Sequence, residues 1–271
     1  MSETVLVTSC KGGIGKSTVA ANVSMALATA GFSVITIDCD FRMRCLDLIM
    51  GFENRAVFNI FDVAKGRCEI DRAIVKDTRS DSLYFLAAPS DRHAVIEKEE
   101  FESVIEKLRE FKHDGKEIDY IIIDAPAADD DSIALSAPVS DQAIIVCSHM
   151  PSAIRAASFT SDLLDEFGVK KQKLLINSFD VKSALAAYRT GIIEMIDSSK
   201  TMLLGIVPFD RELMIRQESG ELIDALPKRN NARVAFGNIS KRIYGRQIPL
   251  FEGFSGKDYK KILSTGDTSG N

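Results

Sequence analysis

The eight residues Lys11–Thr18, KGGIGKST, constrain this chain more than any other segment. They follow an apolar run, Val5–Ser9, that reads as a buried strand, and Lys16 opens a stretch to Ala30 that reads as a helix. Glycines at 12, 13 and 15 let the backbone turn tightly and aim successive N–H groups at one anion. The N-terminus of the following helix adds its dipole and its unpaired N–H groups. Lys16 supplies a point charge to terminal phosphates, Ser17 a hydroxyl for Mg²⁺, and Thr18 a hydroxyl within reach of an α-phosphate oxygen. A glycine-rich turn without a ligand needs neither the Lys-Ser pair nor this strand–loop–helix setting. Gly12, Gly13, Ile14, Gly15, Lys16, Ser17 and Thr18 are therefore read as a cradle for the phosphates of a nucleotide.

The rest of the chain repeats the strand–helix alternation. Candidate strands are Val5–Ser9, Val34–Asp38, Leu83–Ala87, Tyr120–Asp124, Gln142–Cys147, Lys173–Asn177 and Leu203–Val207. Several are continuously apolar, the signature of a strand covered on both faces. Candidate helices lie at Lys16–Ala30, Lys98–Phe111, Ile154–Phe167, Ala184–Asp197, Glu212–Ser219 and Arg233–Tyr244. Alternation of this kind implies right-handed crossovers and an α/β fold: a doubly wound, mostly parallel sheet flanked by helices. No linker, repeat or low-complexity segment divides the chain, so residues 1–250 read as one domain and 251–271 as a C-terminal tail with a frayed end at Ser264–Asn271.

Ligands of doubly wound sheets bind at the carboxyl ends of the strands. Two such ends carry acids: VITIDCD delivers Asp38 and Asp40, and YIIIDAP delivers Asp124. Four apolar residues ending in Asp form the Walker B pattern, in which Asp124 holds Mg²⁺ directly or through water. Asp40 is placed to orient an attacking water and Asp38 to support the metal's water shell. An Asp after a strand also serves as a helix cap or turn former, and for Asp38 the two readings stand side by side. On these roles Lys16, Asp40 and Asp124 run hydrolysis, with Ser17, Asp38 and Asp124 around the metal.

Composition removes other classes. The 271 residues are 45% hydrophobic and 27% charged with a net charge of −5, as in an ordinary globular protein and unlike a general nucleic-acid binder. The five cysteines contain no C-x-x-C pair, which disfavours a metal-insertion or iron–sulfur scaffold role and fits reduced thiols. The N-terminus runs from MSE straight into a strand, and no apolar run nears the ~20 residues that span a bilayer. The expected location is cytosolic, or at most attached to a membrane surface.

At Lys11 the loop resembles the deviant Walker A class, K-G-G-x-G-K-[ST], of P-loop NTPases of the SIMIBI type. In that class the first lysine crosses to a partner subunit's phosphates, which implies an ATP-dependent homodimer with Lys11 acting in trans, as an arginine finger does. The segment after Asp40 narrows the resemblance. Leu46-Asp-Leu-Ile-Met-Gly51, the following VFNIFDV and the stretch KDTRSDSLYFLAAP are similar to the MinD family of septum-site-determining ATPases, and the likeness runs from Val5 to about Phe251. It implies ATP and Mg²⁺ as ligands, a MinC-like division inhibitor as partner, and a MinE-like or DivIVA/MinJ-type positioning system. In the family an Asn and a later Pro/Asp loop frame the adenine, roles that fall here on Asn177, Pro208 and Asp210. Purine choice rests on this resemblance alone.

The chain departs from the family pattern at Cys10, Arg42, Cys45, Ala128 and Ala156. Ala128 stands where a glycine usually approaches the γ-phosphate, which keeps open an ATP-binding switch with little hydrolysis. A ParA-like partition ATPase is the other reading, disfavoured by the acidic charge. Family members end in a basic amphipathic helix that lies on anionic lipid. Here Phe251, Phe254, Tyr259, Ile262 and Leu263 fall within one half of a helical wheel, with Lys257, Lys260 and Lys261 on the other. Gly253 and Gly256 weaken such a helix by roughly 1 kcal/mol each.

Overall fold

The computed structural model describes residues 2–91, 93–126, 130–185, 192–256 and 258–259. In chain order the elements are β1 (Glu3–Thr8), α1 (Lys16–Thr29), β2 (Val34–Asp38), α2 (Leu46–Met50), α3 (Ile60–Ala64), α4 (Ile70–Ala73), β3 (Ile74–Lys76), β4 (Leu83–Leu86), α5 (Lys98–Glu110), β5 (Lys112–His113), β6 (Lys116–Glu117) and β7 (Tyr120–Asp124). There follow α6 (Asp130–Ser136), β8 (Gln142–Cys147), α7 (Pro151–Glu166), β9 (Gln172–Phe179), α8 (Val181–Leu185), α9 (Ile192–Ser199), β10 (Met202–Pro208), α10 (Arg211–Gln217) and α11 (Asn231–Ile243).

All seven expected strands form, each within a few residues of its expected bounds. They assemble with β3 into one sheet of order β10-β9-β8-β1-β7-β2-β4-β3. Every pairing is parallel except β3 with β4. β1 lies near the centre, and the chain winds outward from it first to one side and then to the other. The expected helix Ala184–Asp197 corresponds to α8 and α9, with 186–191 between them outside the described residues.

Alternation along the strands splits the core in two. Leu6, Ile35, Ile37, Ile121, Ile123 and Ile145 face a layer that holds Phe101, Ile105, Leu164 and Met195. Val5, Val7, Val34, Ile122 and Ile144 face the opposite layer, with Val19, Val23, Leu27, Phe236 and Ile239. Both faces of the central strands are buried, which is why those strands read as continuous apolar runs. α1 is itself buried along almost its whole length and is built from alanine, valine and small polar residues that let it lie close to the sheet. These two layers leave the carboxyl edge of the sheet as the place where the loops after β1, β2, β7, β8 and β10 meet.

The wheel drawn over 251–263 does not survive at its start. Phe251 (φ +60°), Gly253 (+75°) and Gly256 (+102°) are left-handed, and 251–256 forms a turn followed by irregular chain. Phe251, Phe254 and Tyr259 pack on one another with ring centroids 5.1–5.4 Å apart, and Asn231 and Asn238 bond this segment to α11. Lys257 and residues 260–271 lie outside the described residues. Among those described, no helix is long and apolar enough to cross a membrane.

Candidate functional site

The loop between β1 and α1 has the form its sequence implies. Gly13 (φ +72°) and Gly15 (φ +87°) take the left-handed conformation that only glycine enters freely, whereas Cys10, at a usual glycine position, does not have positive φ. Gly15 caps α1 with no side-chain acceptor, so the first N–H groups of the helix face the loop. The loop is held from two sides. Thr160 on α7 accepts the Cys10 N–H at 3.0 Å, and the Asn177 amide at the end of β9 donates to the Ile14 carbonyl at 2.9 Å. Asn177 is buried, and a Cβ on Gly15 would stand 2.3 Å from its Nδ2. The glycine thus serves a close approach as well as a turn.

Lys16, Asp38, Asp40 and Asp124 converge on this loop. Asp38 and Asp124 are register partners on adjacent strands, at 1% and 0% exposure. Burial raises the Asp38 carboxyl well above the usual range and the charge of Asp124 adds to this, while the Asp40 N–H, 2.9 Å from Asp38 Oδ1, opposes it. Burial pushes Asp124 up to about 7, against the pull of Ser17 and Lys16. The Ser17 hydroxyl lies near enough to favour the ionised form but makes no regular hydrogen bond, since both Asp124 oxygens lack one. Lys16 is itself buried, which lowers its pKa, with Asp124 and Asp40 working the other way. Asp40 is partly exposed, and its Oδ1 accepts the N–H groups of Arg42 (3.2 Å) and Met43 (3.0 Å), fixing the turn that follows β2.

Asp124 and Asp40 thus act on the Lys16 ammonium while Asp38 adjoins Asp124, and Asp38 Oδ2 and both Asp124 oxygens are buried without partners. Hard oxygen donors short of positive charge beside a serine hydroxyl fit Mg²⁺. Among the described residues no trio of His, Cys, Asp or Glu encloses a metal alone. Mg²⁺ is commonly held by one or two carboxylates together with a nucleotide's phosphates.

Next to the loop opens a cavity of about 330 Å³. Gly13, Ile14, Gly15 and Thr18 form its floor, and Asn177, Pro208 and Asp210 its far wall. All three residues assigned to the base are therefore brought together. The Asp210 carboxylate is already engaged, capping α10 through the Leu213 N–H (2.9 Å) and accepting from Asn230 (2.7 Å). Its part in the wall is to fix the loop. Sequence reasoning missed several lining residues, among them His149, Met150, Met214 and Gln217, the last accepting from the Thr18 hydroxyl at 3.4 Å. The only signal for them was their position, just after β8 or on the helix after Pro208-Phe209-Asp210. A larger open hollow of about 670 Å³ lies at the opposite end of β9 and β10, against Met202, Arg242 and Ile248, away from any glycine cradle. Lys11 points out of the loop, its Nζ 2.5 Å from Ser152 Oγ at the start of α7. Ala128 lies outside the described residues.

A parallel doubly wound sheet with a lysine-serine glycine loop after β1 and a buried aspartate at the end of β7 defines a P-loop nucleoside triphosphatase. The ParA family model, described as NUBPL iron-transfer P-loop NTPase, matches residues 1–244. The chain is 36% identical to the septum site-determining protein MinD of Bacillus subtilis over 254 residues, 92% of either chain. It is 34% identical to MinD of Synechocystis over 93% of either. Its structure is similar to that in the MinC:MinD cell division protein complex of Aquifex aeolicus, with a TM-score of 0.84 and 32% identity over 92% of this chain and 98% of that one. The chain belongs to the MinD/ParA family of P-loop ATPases and is MinD-like within it.

Proposed function

We propose that the protein is an Mg²⁺-dependent ATPase that switches between monomer and ATP-bridged homodimer and helps position the division septum. The observation that carries this reading is the convergence of Lys16, Asp124, Asp38 and Asp40 on a loop whose left-handed glycines turn it into the N-terminus of α1. The N–H groups of residues 12–18 and the Lys16 ammonium bind the β- and γ-phosphates. Ser17 and Asp124 would hold Mg²⁺ and Asp38 its water shell, and the ion would supply positive charge to the phosphate oxygens. Asp40, on a turn fixed by its own carboxylate, orients the attacking water. Asn177, Pro208 and Asp210 frame the base. Lys11, parked on Ser152 in the single chain, reaches the partner subunit's phosphates in the dimer and stabilises the charge that builds during transfer.

The dimer recruits a MinC-like division inhibitor at the inner face of the membrane, a reading supported by the Aquifex aeolicus MinC:MinD complex. Residues 1–250 form the ATPase domain. The tail beyond it touches anionic lipid weakly, because its aromatic residues up to Tyr259 are packed against one another. A MinE-like or DivIVA/MinJ-type system resets the cycle.

Sedimentation of the purified protein with anionic liposomes, in ATP or ADP, with phosphate release followed in parallel, tests this. ATP-dependent self-association, phosphate release and ATP-dependent pelleting are the expected results. A chain that stays monomeric in ATP and releases no phosphate would overturn the proposal. Pelleting on DNA in place of lipid would favour a partition role.

A further inference from the structure

The motif Lys76-Asp77-Thr78-Arg79 takes no part in the cradle, yet its arginine holds two segments that lead into it. Asp77 follows β3, its N–H bonded to the Leu83 carbonyl at 2.9 Å and its carboxylate 1% exposed. Arg79 grips that carboxylate in a fork, Nε to Oδ1 at 3.0 Å and Nη2 to Oδ2 at 2.6 Å. The remaining donors diverge. Nη2 donates to the carbonyl of Met50, the last residue of α2, and Nη1 to the carbonyl of Gly220, just beyond α10, both at 2.7 Å. At that joint two backbones touch. Gly51 and Gly220 are both left-handed at φ +71°, and a Cβ on Gly220 would stand 2.5 Å from Gly51 Cα.

Short, stiff paths run from the joint to the reacting site. On one side, α2 is tied at its start by the Arg44–Asp47 ion pair (3.1 Å), and the Arg44 N–H bonds the Asp40 carbonyl at 3.0 Å. On the other, α10 carries Leu213 and Met214 of the cavity wall and Gln217, which meets Thr18. The guanidinium is the bracket between the loop of Asp40 and the helix that walls the nucleotide.

We propose that Arg79 is a positioning residue for ATP turnover: by clamping the end of α2 to the end of α10, it sets where Asp40 stands relative to the bound phosphates. The proposal rests on the reading of Asp40 as the group that orients water. Lysine cannot replace Arg79, because one point charge cannot serve a carboxylate and two diverging carbonyls at once. Loosening the joint leaves the loop glycines, Lys16 and Asn177 untouched, and α10 keeps its Asp210 cap at the cavity, so nucleotide still binds while Asp40 loses its placement.

The test measures ATP affinity, kcat, KM and thermal midpoint for the full chain and for Arg79→Lys, Gly220→Ala, their combination and Asp40→Ala. Arg79→Lys is expected to lower kcat on the order of tenfold while KM and ATP affinity stay within about twofold. Gly220→Ala keeps the guanidinium but forces the joint apart and gives the same split, and the combination turns over no more slowly than the slower single variant. If Arg79→Lys does not fold, Gly220→Ala decides alone. Variants that lower the thermal midpoint yet keep the parental kcat would make the clamp purely structural and overturn the inference. Asp40→Ala with the parental rate would instead remove the reading on which it rests.

Discussion

Gly15 is the position where the cradle leaves least room, and its replacement by alanine can be worked out from the geometry. At φ +87° and ψ +38° the residue is left-handed, which costs a side chain with a Cβ about 1–2 kcal/mol. The added methyl also stands 2.3 Å from Asn177 Nδ2, closer than real Cβ atoms approach anything. The amide must move, and its bond to the Ile14 carbonyl goes with it, a further loss of about 0.5–1.5 kcal/mol. Gly15→Ala should therefore destabilise the nucleotide-free protein by about 1.5–3.5 kcal/mol and abolish the stabilisation that ATP gives the parent. Of the folding cost, only the share from the displaced amide depends on Asn177. In Gly15→Ala/Asn177→Ala the methyl meets no amide, so the double variant should be more stable than the sum of the singles predicts, by about 0.5–1.5 kcal/mol. Urea unfolding followed by circular dichroism and by tyrosine emission, whose coincidence checks two-state behaviour, gives the four free energies. Single costs that add to within about 0.3 kcal/mol would refute the argument, since the close approach to Asn177 would then carry no energy.

Lys16→Ala should abolish ATP-dependent dimerisation, seen as a monomer in analytical centrifugation with saturating ATP and Mg²⁺; a dimer would remove the loop from nucleotide binding. Asp40→Ala should trap an ATP-bound dimer that releases no phosphate, whereas Lys11→Ala should bind ATP as a monomer, a difference the same centrifugation run displays. Asp38 has a folded pKa well above its unfolded value near ~3.9, so its penalty is absent below that value, grows as pH rises, and levels off above the folded pKa. Nucleotide-free Asp38→Asn should accordingly melt higher than the parent at pH 8, with the gap closing towards pH 4; a gap that widens as pH falls would reverse the sign of the reasoning.

What was legible in the sequence tracks the physical range of the signal. β1, β2, β7 and β8 are buried on both faces, so each announces itself as a run of Val, Ile and Leu regardless of its neighbours. α2, α3 and α4 have four or five residues each, too few to show a 3.6-residue period, and β3 has only three. The β5–β6 hairpin, Lys112–Glu117, was missed although Asp114-Gly115 at its tip, both with positive φ, is a two-residue turn signal; its strands are charged and only two residues long. The phosphate loop and the strand-end aspartates could be placed because a parallel sheet fixes which strand ends share an edge. His149, Met214 and Gln217 could not, because their approach to the loop depends on how β8 and α10 sit around it, and no local pattern encodes that. The Gly51–Gly220 joint is of the same kind: each glycine alone reads as a helix terminator, and only the folded chain brings them together.

The same sheet that makes the acids easy to find makes them costly. Asp38 and Asp124 are register partners on neighbouring parallel strands, buried side by side; burial raises the pKa of both, and the charge of Asp124 adds to the rise at Asp38. Lys16 offsets one charge, while Asp40 adds another from the turn above. Moving the acids outward along the chain would relieve this but would also take them off rigid strand ends onto loops. The fold therefore keeps a strained charge balance next to an accurate scaffold. A divalent cation arriving with a nucleotide is the ligand that corrects the balance, so the loaded state gains stability that the empty one lacks. The Arg79 clamp lies on the route by which that gain can reach α2 and α10, since it bonds the ends of both. On this view the buried acids at the sheet edge, along with the contacts the phosphates make, separate the loaded state from the empty one.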